Sequence, residues 1–272
     1  MNSTTTLMAL LSSAYPFLVA AAIAAARALG VMMVTPAFTR LGMTGLIRSS
    51  VAIVVAFPVL PIVLETVQTT PLSSSIIAGL VLKEMMIGAI VGIAFGIPFW
   101  AAEAAGDLVD LQRGSTAAQL LDPLALTESN ITSTLLTITL LALFFLTGGF
   151  SLLLRGLYDS YALWPATSFA PILGANSIAP LLRVLDRIML ASVLMVAPIV
   201  IGLLLADIAL GFLSRLTPQF FVFDLSLSVK NLLFTFLMVM YAVFLVPVML
   251  SEIGALRGAT DLLRQLAPAR PG

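Results

Sequence analysis

The stretch Glu103 to Pro123, EAAGDLVDLQRGSTAAQLLDP, places Asp107 and Asp110 three residues apart, so on a helix they share one face. Paired carboxylates of this kind do acid/base work or bind a divalent cation. Neither chemistry finds its remaining parts here. The chain has no Cys and no His, which removes thiolate chemistry, disulfides, the commonest general base and the commonest metal ligand. No Gly-x-x-x-x-Gly-Lys-Ser/Thr loop is present to cradle a nucleotide, and no nucleophile lies beside the two aspartates. A membrane-embedded enzyme using Asp107 or Asp110 is therefore the weakest reading, and the expected cofactor is none. Gly106 and Gly114 point instead to a loop that turns sharply or lets backbones approach closely.

The other candidates are charges embedded in apolar sequence. Arg27 interrupts the first apolar run, Lys83 and Glu84 adjoin a later one, and Asp207 lies near the end of another. A lone charge in hydrocarbon costs about 2.5–3.5 kcal/mol on insertion scales, so such residues face protein or a water-filled path. Pairing between helices is the expectation, for example Arg27 with Asp207 or Lys83 with its neighbour's carboxylate. An ion or substrate pathway is the competing reading, although no segment carries ionisable residues at helical spacing as a proton relay would. Past Asp207, the segment LADIALGFLSRLTPQFFVFDLSLSVK reads as a helix ending near Thr217 and Pro218, followed by Phe220, Phe221 and Phe223. Those aromatics fit either an anchor at the membrane interface or an apolar constriction that excludes water.

The elements that must hold these residues follow from composition. Of 272 residues 60% are hydrophobic and 10% charged, with 13 basic and 13 acidic side chains, against roughly 45–50% apolar and about 25% charged in soluble domains. Mean hydropathy is +1.13. Zero net charge argues against a nucleic-acid partner. Charge-free runs at Met85–Ala102, Ile131–Leu154, Ile188–Ala206 and Asn231–Ser251 approach or exceed the roughly 18–20 residues that cross about 30 Å of hydrocarbon. Ala14–Val34, broken by Arg27, and Val51–Leu64, interrupted by Pro58 and Pro61, are weaker candidates. About six apolar segments result, all helical by their length. The prolines at 58, 61, 98, 198 and 247 mark expected kinks or breaks.

Gly88, Gly92 and Gly96 form a ladder of small residues that admits a close neighbour, with ordinary packing inside one chain as the default explanation. The N-terminus has no Lys or Arg ahead of its first apolar run, so it lacks the charged start of a cleavable signal. No polar interruption is long enough for a separate domain, so one domain covers 1–272, with 252–272 expected as a flexible tail. Topology by the positive-inside rule fails. Counting from Arg40 and Arg48 inside, six alternating spans leave Arg155, Arg183, Arg187 and the basic tail outside. Either the span count is wrong or the helices do not cross the bilayer in simple alternation.

Short matches run through nearly the whole chain: Arg27, Gly30, Pro36 and Phe38, then Lys83, Glu84 and Gly88, then Gly106, Asp110, Gln112, Gly114, Asp122 and Pro123. They continue with Gly148, Gly149 and LYDSYALWP at 157–165, and end with Ala206, Asp207, Leu210, Gly211, Arg215, Pro218, Gln219, Val222, Phe223 and Lys230. In this order and spacing the chain resembles the SctT/FliR family of type III secretion and flagellar export proteins, with LYDSYALWP closer to the virulence or symbiosis branch. The family often has Asn where Phe221 stands, which puts local contacts of the Pro-Gln motif in doubt.

The resemblance implies an all-α inner-membrane protein of broken, tilted helical hairpins. With SctR and SctS homologues, and beside SctU and SctV homologues, it would build a channel for unfolded secreted proteins. It implies a plug built from Gly106, Asp110, Gln112, Arg113, Gly114, Ser115, Asp122 and Pro123. Polar contacts within or between subunits would come from Arg27, Lys83, Glu84, Asp207, Arg215 and Lys230, and Pro218, Phe220, Phe221 and Phe223 would form a constriction. A stand-alone transporter of small solutes is the alternative.

Overall fold

The computed structural model describes residues 3–69, 73–114, 130–166, 168–169, 173–174, 177–216 and 222–268, with the side chains of 3–13 and 222–225 left aside. Among the described residues every regular element is helical and no strand occurs. In chain order the helices are α1 (Ser3–Val34), α2 (Pro36–Arg40), α3 (Gly45–Ala56), α4 (Leu60–Thr69), α5 (Ser74–Arg113), α6 (Ile131–Leu146), α7 (Gly149–Leu163), α8 (Ile178–Leu216), α9 (Val222–Ala255) and α10 (Ala259–Leu266). Short 3-10 turns at Phe57–Val59 and Leu256–Gly258 join α3 to α4 and α9 to α10.

Among the described residues five stretches are long and apolar enough to cross a membrane: Ala14–Val34, Gly45–Thr69, Ser74–Arg113, Ile178–Leu216 and Ser226–Leu266. The pair α6 and α7, taken as one broken span, makes a sixth. Each coincides with one of the apolar segments read from sequence. The run Ile131–Leu154, read as continuous, is interrupted at Thr147–Gly148. Gly148 has φ 81°, a left-handed conformation that Cβ-bearing residues adopt only at a cost of roughly 1–2 kcal/mol, so its missing side chain, and not polarity, marks the break. Of the prolines, Pro58 sits in the 3-10 turn, whereas Pro98, Pro198 and Pro247 lie inside continuous helices.

The chain forms two compact units: Met1–Gly96 with Gly148–Val184 and Leu256–Gly272, and Ile97–Thr147 with Leu185–Ala255. The first has a core of Val19, Ala20, Ile23, Ala24, Val63 and Leu80, on which Tyr158 and Tyr161 pack. The Ala-rich stretch of α1 lets α5 come close: a side chain at Gly88 would run into the carbonyl of Arg27, and one at Gly30 into that of Met85. The Gly88 and Gly92 rungs of the small-residue ladder are thus used within the chain. The second unit buries Phe99, Leu136, Leu140 and Phe144, with the rings of Phe99 and Phe144 edge to face at 5.2 Å.

The tail expected to be flexible is helical to Leu266, and Leu256, Leu263 and Leu266 are buried. Its leucines recur at helical spacing, which the mixed charges around them obscured.

Candidate functional site: two buried ionic anchors

In the first unit the charged residues of α1 and α5 meet the end of α7. Arg27 has no exposed surface, and neither has Glu84. Arg27 Nε donates to Glu84 Oε2 at 2.7 Å, Nη1 donates to Ser160 Oγ at 2.9 Å and Nη2 donates to the Trp164 carbonyl at 2.7 Å. Its guanidinium carbon stands 3.7 Å from the centre of the Tyr161 ring, and the Tyr161 hydroxyl donates to the Ala24 carbonyl at 3.3 Å. The Lys83 ammonium lies 2.8 Å from Glu84 Oε1 and donates to the carbonyls of Pro165, Ala166 and Ser168 at 2.8–3.0 Å.

The physical reason for this arrangement is the C-terminus of α7. The last carbonyls of a helix have no partner within it and carry partial negative charge. Here Trp164, just past Leu163, and the turn beyond it present carbonyls to two cations. Glu84 balances one of those charges. The pairing of Arg27 with Asp207 considered above does not form; Glu84 takes Arg27, because α5 runs beside α1 where Gly30 and Gly88 allow close approach. Ser160, Tyr161 and Trp164 were not singled out as partners of Arg27. They sit together in LYDSYALWP at the end of α7, Ser160 and Tyr161 in its last turn and Trp164 just past it.

In the second unit the described part of the stretch read as a loop is helical: Gly106, Asp110, Gln112 and Arg113 belong to the last turns of α5, and among these described residues Gly114, φ 80°, leaves it. Gly106 is small because Ser133 of α6 presses on it; a Cβ there would overlap the Ser133 backbone. Asp110 is fully buried. Its Oδ2 accepts from the Thr132 amide at 3.1 Å and its Oδ1 from the Thr132 hydroxyl at 2.6 Å, while Arg113 Nε donates to Oδ1 at 2.8 Å. Asp110 thus caps the start of α6 from another helix, and Asn130, whose own side chain makes no cap, donates through Nδ2 to Asp107 Oδ1 at 2.7 Å. The two carboxylates read as a pair go to separate partners. The ends of segment 115–129, Gly114 and Asn130, are each tied to α5.

Asp207 of α8 joins three helices: Gln112 Nε2 of α5 donates to its Oδ2 at 2.9 Å, and Lys230 Nζ of α9 lies 2.8 Å from its Oδ1. The Arg113 guanidinium stands 4.8 Å from the Phe234 ring of α9. Arg215 is exposed near the end of α8 and makes no ion pair among the described residues. Ser115, Asp122, Pro123, Pro218, Phe220 and Phe221 lie outside the described residues, as does the side chain of Phe223. Among the described residues no three His, Cys, Asp or Glu side chains are placed to hold a metal. The ions of both clusters point at counter-ions, helix ends or carbonyls, an arrangement that fixes helices to one another.

Residues 18–256 match the family model described as Bacterial export proteins, family 1. The chain belongs to that family. Among relatives of this export protein, the Yop proteins translocation protein T of Yersinia pestis is 37% identical over 159 residues, which is 58% of this chain and 61% of that protein. The surface presentation of antigens protein SpaR of Salmonella typhimurium is 30% identical over 224 residues, 80% of this chain and 82% of that protein. The flagellar biosynthetic protein FliR of Caulobacter vibrioides is 26% identical over 203 residues, 75% of this chain and 80% of that protein. The chain thus spans about three fifths of the length of the Yersinia relative. With its five apolar spans, or six with the broken pair, this export protein is a multi-pass protein of the bacterial inner membrane.

Proposed function

We propose that this export protein is a subunit of a type III secretion export gate. With SctR and SctS homologues it forms the channel through which unfolded proteins leave the cytoplasm, and it also contacts SctU and SctV homologues and membrane lipid. It takes no catalytic part, and the energy for transport comes from other components. The observation that carries this reading is the way the polar residues shared with the SctT/FliR family satisfy one another: Arg27 with Glu84, and Gln112 and Lys230 with Asp207. Among the described residues these charges are spent on holding helices together and form no relay for a solute or proton, as a scaffold around a conduit requires and a secondary transporter does not.

Within the gate, the end of α5 from Gly106 to Gly114, together with the segment that follows it through Asp122 and Pro123, forms the plug. The capping of α6 by Asp110 and the bond from Asn130 to Asp107 support this, since they hold the start of α6 beside the end of α5. Apolar side chains, with Pro218, Phe220, Phe221 and Phe223 as candidates, complete the seal by excluding water.

Co-expression with SctR and SctS homologues and purification through a tag on this chain tests the assembly. A stable complex of the three is expected. A monodisperse chain that transports a small solute alone refutes the gate. For the plug, replacing 115–129 with a short Gly/Ser linker should leave the complex intact and make the membrane leaky to ions, and unchanged permeability counts against a sealing role.

A further inference from the structure

The first unit holds a second polar feature that neither anchor uses. A cavity of about 660 Å³ lies between α7 and the turn Leu256–Gly258 with the start of α10. Arg155 and Asp159 of α7 line it on one side, Arg257 and Thr260 on the other. Its apolar wall includes Phe95, whose ring packs against the backbone of Gly156, so that a side chain at 156 would displace it. Arg155, Asp159 and Arg257 are exposed, and none makes an ion pair among the described residues. Arg155 and Asp159 stand four apart on one helix, the spacing that ordinarily pairs them, yet they do not pair.

We propose that this cleft binds the phosphodiester headgroup of a membrane phospholipid whose head also carries a hydrogen-bond donor, ethanolamine or glycerol. Three observations select that ligand. Arg257 lies within the apolar stretch Ser226–Leu266 and Arg155 within the second limb of the broken span, so both guanidinium groups sit on stretches long and apolar enough to cross a membrane. An exposed arginine on such a segment is costly in hydrocarbon, and reaches the headgroup level when it can. Guanidinium forks bind phosphate oxygens with two parallel hydrogen bonds, and two of them flank one cavity. Asp159 and Thr260 then need a donor on the same ligand. An ammonium or a glycerol hydroxyl supplies it, and a choline head, which has no N–H or O–H, does not. An acidic side chain from a partner protein would satisfy the arginines but would meet Asp159 as a like charge and leave much of 660 Å³ unfilled.

The test is native mass spectrometry of the full chain in its purified complex, exchanged into micelles containing equal amounts of phosphatidylethanolamine, phosphatidylglycerol and phosphatidylcholine. Retention of one ethanolamine or glycerol lipid in preference to the choline lipid is expected. R155Q/R257Q should reduce that retention at least about tenfold, the equivalent of one charge-assisted hydrogen bond of about 1.4 kcal/mol, while R155K/R257K keeps part of it. D159A, which removes the acceptor, should keep a phospholipid bound but lose the discrimination against choline, and it decides the matter if the glutamine variant fails to assemble.

Equal retention of all three lipids overturns the proposal, as does a D159A chain that still discriminates. Displacement of the lipid by millimolar inorganic phosphate assigns the cleft to free phosphate and overturns it. So does photo-crosslinking from position 155 that captures a partner subunit and no lipid.

Discussion

Replacing Glu84 by Gln is the sharpest perturbation of the first anchor. The change keeps volume and shape while removing the one negative charge shared by Arg27 Nε at 2.7 Å and Lys83 Nζ at 2.8 Å. Counted by charge, the native cluster carries two positive and one negative group, so Glu84→Gln leaves two cations buried together. Arg27→Met leaves the neutral pair Lys83 and Glu84, and Lys83→Met leaves the neutral pair Arg27 and Glu84. Removing one partner of a buried ion pair costs about 3–5 kcal/mol, chiefly because the remaining charge stays unpaired in low dielectric.

Glu84→Gln should therefore reach the top of that range. Lys83→Met should cost least, since Lys83 retains a little exposure and the Arg27 hydrogen bonds persist. Arg27→Met falls between them, because it removes the bonds that Arg27 donates to the Trp164 carbonyl and the Ser160 hydroxyl. Adding Lys83→Met to Glu84→Gln should recover part of the loss, since one buried cation replaces two. The assay is denaturant-induced loss of protease resistance of the purified complex, alongside its steady-state level in the membrane. At 1.4 kcal/mol per tenfold, Glu84→Gln should lower the folded-to-unfolded ratio by at least about a thousandfold. A Glu84→Gln protein within about 1 kcal/mol of wild type, or one more stable than Arg27→Met, would refute the charge count.

Other outcomes follow from the helix contacts. Gly88→Ala, which forces α5 away from the Arg27 carbonyl, should cost about 1–3 kcal/mol in thermal stability, whereas Gly211→Ala, with open space around it, should cost nothing measurable. Asp110→Ala removes the cap of α6 and should cost about 1–2 kcal/mol, with faster hydrogen exchange confined to the amides of Thr132 and its neighbours. Asp207 is 37% exposed and Lys230 12%, so screening reduces their pair: Lys230→Gln should cost no more than about 1 kcal/mol, and the exchange D207K/K230D should restore most of it. If the exchanged protein is less stable than either single variant, the two residues are not partners.

How much of this was legible in the chain depends on the range of the interaction that decides each feature. Spans such as Ala14–Val34 are local: the length of an apolar run is enough, because every backbone polar group in lipid must be satisfied within its own helix. That Arg27, Lys83, Glu84 and Asp207 need partners is likewise evident from their apolar surroundings, and Lys83 meets Glu84 as its chain neighbour. Tertiary structure decided the rest. The stretch at Gly106–Arg113 looks like a loop by its glycine and charges, yet it stays helical because Ser133 fills the space the glycine leaves and Thr132 and Arg113 satisfy Asp110. Arg27 could have chosen any buried acid; its choice of Glu84, 57 residues away, and of Ser160 and Trp164, more than 130 away, depends on which helices lie side by side. Hydropathy is a property of a segment, whereas an ion pair is a property of two segments, and only the packed structure brings the second to the first.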